Sequence, residues 1–90
     1  MNLDTKINTN TKPDIKTGKI KWFDPNKGYG FIRPKEGGLD LFLHVTELQK
    51  ANIDNITNEN LGGAIIEYEV RIDLKNRKSA TNIRILDKST

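Results

Sequence analysis

Between Gly18 and Leu86 the apolar residues recur at every second position, in short runs separated by clusters of turn formers. A period of two places alternate side chains on one face of a strand, so the pattern demands sheet rather than helix. GKIKWF is closed by DPNKG, YGFIRP by KEGG, and LDLFLHV by TELQK, which reads as one short helical turn. The polar loop ANIDNITNENLGG leads to a fourth strand, AIIEYEVRIDL, then a turn, KNRK, and a fifth strand, SATNIRIL. Asp, Pro, Asn and Gly each favour turns for a separate stereochemical reason. The fold class is therefore all-β. Five short strands with tight links and no sizeable helix to cover an edge predict a small closed antiparallel barrel.

Alternation also assigns faces. Ile32, then Leu41, Leu43 and Val45, then Ile66, Tyr68, Val70 and Ile72, and finally Thr81, Ile83 and Ile85 form the inward set. Tyr29, Phe31, Phe42 and His44 fall on the opposite face of the second and third strands. Those rings are outside because aliphatic residues already occupy the inside. The first strand strains the scheme, since Ile20 and Trp22 share a parity while only Ile20 reads as core. A bulge would separate them. Phe23 is expected to pack, and Tyr68 to be structural.

Charge follows the rings. The net charge is only +3, yet between Lys16 and Lys35 six basic residues face a single acid, Asp24. Rings on adjacent strands, edged by cations, match what an unpaired nucleic acid strand needs. Bases stack on aromatic faces with little regard to sequence, and lysines meet the phosphates. Duplexes hide their base faces, so the platform favours single strands. Lys21 and Lys27 flank the rings, whereas Lys6, Lys12, Lys50 and Lys88 read as solvated charges.

Other chemistries find little support. No cysteine is present, which removes disulfides, thiolate metal sites and a Cys nucleophile. His44 is the only histidine, so no metal and no cofactor is expected. Ser79 and Ser89 are the only serines, and their turn and tail contexts do not suit a hydrolytic triad. The glycine pairs at 37–38 and 62–63 open no long helix, unlike phosphate loops. The expectation is a protein that is not an enzyme and takes no small-molecule substrate. No apolar run suggests a membrane span or a secretion signal, so a cytoplasmic protein without membrane contact is expected, and it is read as a monomer. Residues 1–16, rich in Asn, Thr and Lys, cannot bury enough apolar area to offset ordering, and read as a disordered tail. Residues 17–87 then form one domain.

GKIKWFDPNKGYGFI followed by LDLFLHV resembles the cold-shock domain, a small oligonucleotide-binding (OB-fold) barrel. The first stretch is similar to that family's K-W-F-N-x-x-K-G-F-G-F-I signature, and the second to its V-F-V-H-F motif. The resemblance is strong from 17 to 49 and weaker from 64 to 85. It implies a five-stranded antiparallel barrel that binds single-stranded RNA or DNA, often as an RNA chaperone. By position it implies stacking residues Trp22, Tyr29, Phe31, Phe42 and His44, and basic contacts at Lys21, Lys27 and Arg77. Trp22 would then lie on the binding side. This chain departs from the family pattern at three places. Val45 replaces a further aromatic, the loop after Gln49 is longer and offers Ile53 and Ile56 instead of a ring, and a Gly-Pro before the fifth strand is missing. A weaker or shorter footprint is the consequence expected, with Val45→Phe tightening it. A protein-docking barrel using Tyr29, Phe31 and Phe42 is the alternative, and oligosaccharide binding a weaker one.

Overall fold

The computed structural model describes residues 14–88, and the tail expected over 1–16 lies outside it except for its last three residues. Lys16, assigned to that tail, already begins a strand. The elements are β1 (Lys16–Asp24), β2 (Tyr29–Pro34), β3 (Leu41–His44), α1 (Val45–Lys50), α2 (Asn58–Leu61), β4 (Ile65–Ile72) and β5 (Lys78–Asp87). They close a barrel in the order β1-β2-β3-β5-β4. Four of the contacts between neighbouring strands are antiparallel. The closing one, β3 to β5 at Phe42 and Ser79, is parallel, which a purely antiparallel reading does not anticipate.

The bulge in β1 is present. Ile20 pairs with Ile32 and Trp22 with Phe31, so Lys21 is the extra residue. The shift lets Ile20 and Phe23, three apart, both point inward, with 0% and 1% exposure, and turns Trp22 out at 37%. A second irregularity reorganises β5. Asn82 has a φ of 51°, a left-handed conformation that Asn tolerates, and beside it Ala80 and Ile83 are the buried residues. Strict alternation through Thr81 does not hold there.

Inside, Ile20, Phe23, Ile32, Leu43, Leu48, Leu61, Ile66 and Tyr68 are almost wholly buried. Each such side chain contributes about 1.5–3 kcal/mol of transfer free energy. Tyr68 is structural, as its strand parity suggests. Val70 and Ile72 are not core, at 37% and 57% exposure, because the pairing of β4 with β1 ends at Tyr68 and the hairpin runs on beyond the barrel. Gly30 is required by close packing: a Cβ there would meet the Trp22 carbonyl oxygen and sit 2.8 Å from Phe23 Cα.

The long loop is more organised than its composition suggests. Thr57 caps α2 by accepting from the Asn60 N–H at 3.1 Å, and Leu61 is buried beneath it. Asn58 Oδ1 accepts from the Phe23 N–H at 2.8 Å, and Gly63 N–H donates to the Ile20 carbonyl at 2.7 Å, so the loop closes over the β1 bulge. Ile53 and Ile56 pack against the core. Among the described residues no helix is long and apolar enough to cross a membrane.

Candidate nucleic-acid interface

The outer face of β1, β2 and β3 is built by register. Trp22 stands opposite Phe31, Phe31 opposite Phe42, and Tyr29 opposite His44. Neighbouring strands lie about 4.8 Å apart, so opposite, diagonal and alternate residues on this face come within reach of ring contact. Trp22 and Phe31 have centroids 5.4 Å apart, Tyr29 and Phe42 5.4 Å, Phe31 and Phe42 5.9 Å, Trp22 and Tyr29 6.0 Å, and Phe42 and His44 6.1 Å. All five expected stacking residues thus form one connected surface. Tyr29, Phe31 and Phe42 are half-buried and His44 is exposed. Tilted and edge-on ring pairs are the favourable arrangements, and they also hold the rings in place without a ligand.

The turn between β1 and β2 fixes the approach to Tyr29. Asp24 Oδ1 accepts from the N–H groups of Asn26 at 2.9 Å and Lys27 at 3.3 Å, and Gly28 takes a φ of 80°. At the other end of the ring surface, His44 Nδ1 accepts from the Thr46 N–H at 3.2 Å and caps α1. That bond assigns the ring proton to Nε2, the edge turned away from the helix. Val45, expected at the end of β3, instead opens α1 and packs against the core. A phenylalanine there would have to displace core packing before it could join the rings.

The cations divide. Lys27 is exposed in its turn with no ion pair among the described residues. Lys21 Nζ is 2.9 Å from Asp40 Oδ2, so that lysine is already paired with a carboxylate. Arg77 lies in the turn between β4 and β5 and not on the ring-bearing strands. Its Nε donates to Asp73 Oδ2 at 2.9 Å, and the turn sits two residues before Ser79, the strand partner of Phe42. The Arg77 N–H holds the Asp73 carboxyl below its usual range, more than burial raises it, aided by the Lys75 N–H and the Arg77 guanidinium. Sequence reasoning missed that Lys19 and Arg33 face each other next to the rings, because only register puts them together.

It also missed Glu47. This carboxylate is 4% exposed and bridges Arg71 at 2.7 Å, the Thr81 hydroxyl at 2.8 Å and Lys50 at 3.3 Å, joining α1 to β4 and β5. Burial raises its pKa, but the Thr81 hydroxyl, Lys50 and Arg71 together outweigh that and the net shift is downward. Among the described residues no group of three metal-ligating side chains converges.

Residues 16–86 match the model of the 'Cold-shock' DNA-binding domain. A probable cold shock protein of Sinorhizobium fredii is 38% identical over 69 residues, covering 76% of this chain and 94% of the relative. The cold shock protein CspA of Rhizobium meliloti is 34% identical over 71 residues, covering 78% and 97%. Cold shock domain-containing protein 4 of Arabidopsis thaliana is 34% identical over 70 residues, and there the match spans only 33% of the relative's length.

Proposed function

The chain belongs to the cold-shock DNA-binding domain family, and on that premise we propose that it binds single-stranded RNA or DNA by stacking unpaired bases on Trp22, Tyr29, Phe31, Phe42 and His44. Lys27 and Lys21 meet the phosphates on either side of the rings, and Arg77 reaches the strand from the β4–β5 turn. The protein acts as a monomeric RNA chaperone or regulator of cold-shock type, without catalysis, cofactor or small-molecule substrate. It holds a strand open by offering the bases a surface that competes with pairing.

The observation that carries this reading is the contiguity of the five rings on a face that the barrel does not need for its core. Base–aromatic stacking contributes about 1–3 kcal/mol per base, so even a few seated bases give usable affinity. The test is fluorescence anisotropy of a labelled unstructured oligonucleotide, alone and annealed to its complement. Binding of the single strand with loss of binding on annealing supports the reading. Equal binding of both forms contradicts it, because a duplex offers no base faces. An apolar protein-docking patch would be insensitive to salt, whereas phosphate contacts weaken steeply as salt rises.

A further inference from the structure

Apart from Lys21, the basic end of the same sheet has no role in that scheme. On the outer face of β1 and β2, the pair next to Trp22 and Phe31 is Lys19 opposite Arg33. Both are exposed, and neither has an ion pair among the described residues. Like charges directly opposite one another on neighbouring strands are destabilising. The nearby carboxylates do not offset them. Asp40 is held by Lys21, Glu67 on β4 turns to Arg84 at 3.9 Å, and Asp87 lies beyond Ile65, two strands from Arg33's partner. Lys35 and Lys21 line the same hollow of about 600 Å³, whose floor includes Gly18 and the half-buried Ile65. Gly18 is held there by core packing, since its Cβ would sit 2.7 Å from the Arg33 carbonyl oxygen and 3.0 Å from the buried Ile32 side chain.

Arg33 is two residues along β2 from Phe31, or about 7 Å at the rise of a strand. A strand laid over the rings therefore reaches this hollow within its next step. We propose that Lys19 and Arg33, with Lys35 at the rim, form a phosphodiester clamp that extends the binding track past Trp22 and Phe31, a sugar or base resting on Ile65. The inference rests on the stacking reading above and adds a second, electrostatic segment to it. The like-charge pair is tolerated because the bound anion resolves it.

The test compares wild type with the double variant Lys19→Gln, Arg33→Gln, using oligo(dT) of two lengths. The shorter just saturates the Trp22 fluorescence change, and the longer overhangs it on both sides. The clamp predicts an unchanged short-strand signal, long-strand affinity roughly tenfold lower at low salt, and a salt slope smaller by about 1–2. Lys19→Arg with Arg33→Lys restores the slope, which separates charge from misfolding. A control pair that lines neither the rings nor the hollow, Lys50→Gln with Arg84→Gln, leaves the slope in place. An unchanged slope in the clamp variant, or an equal fall in the control, overturns the clamp while leaving stacking intact. No Trp22 response in wild type with either length removes the stacking reading, and the clamp falls with it.

Discussion

The two faces of the β1–β2–β3 sheet are made from the same strands by alternate residues, yet they answer to different demands. The inner face carries Ile20, Phe23, Ile32, Leu41 and Leu43, none more than 6% exposed. The outer face carries Trp22, Tyr29, Phe31, Phe42 and His44, packed edge to edge but open to solvent on one side. Burial stabilises the first set by removing it from water. The second set keeps apolar area in water, as the proposed stacking surface requires. The proposed function puts stability and binding on opposite sides of one sheet, and substitutions on the two sides should separate them.

The largest separation is expected at Leu43. Leu43→Ala leaves a cavity in a closed core and lowers unfolding free energy by about 2–5 kcal/mol, read by urea denaturation. Oligonucleotide affinity, measured where the variant is still folded, should stay near wild type. Phe31→Ala is the mirror case. It should weaken binding by about 1–3 kcal/mol in anisotropy titrations while costing about 1 kcal/mol of stability, the worth of its ring contacts. A Phe31 variant that unfolds as readily as Leu43→Ala would dissolve the distinction between the faces.

Glu47 sharpens the comparison from a third direction, since it supports the barrel from outside both faces. Its folded pKa lies below its unfolded value, so its contribution is fully present above the unfolded pKa and is lost as pH falls through the folded one. Stability should therefore drop on acidification through the carboxylate range. Glu47→Gln should flatten that limb and cost about 1–2 kcal/mol at neutral pH, since Thr81 loses a charged acceptor. Urea melts as a function of pH read both effects. The smallest effect is expected at Asp40, in the connection between β2 and β3. Asp40→Asn releases Lys21 from its 2.9 Å ion pair, tightening binding by a few tenths of a kcal/mol to about 1 kcal/mol and steepening the salt slope by up to about 1. Titration across a salt series checks it.

Local pattern exposed the strands, the turns and the ring platform, because those depend on neighbours one and two residues away. The need for a bulge in β1 was visible in the conflict between Ile20 and Trp22, but its position at Lys21 depends on pairing with β2. The left-handed Asn82, the outward Val70 and Ile72, and the parallel closure at Phe42 and Ser79 are likewise set by where distant strands start and stop. A run as polar as NITNEN hides a capped helical turn because Thr57 and Asn58 act through hydrogen bonds that periodicity does not register. Cations are legible as a cluster but not as partners. Nothing in the spacing distinguishes Lys21, tied to Asp40, from Lys27, or places Lys19 against Arg33.

Trp22 is the only tryptophan, it is 37% exposed, and it touches both Tyr29 and Phe31, so the platform carries its own reporter. The most direct measurement is its fluorescence during titration with oligo(U) and oligo(dT) at low and high salt. Stacking predicts saturable quenching whose midpoint moves to higher oligonucleotide concentration as salt rises. Binding detected by anisotropy with the Trp22 emission unchanged would contradict it, because the strand would then be bound somewhere other than on the rings.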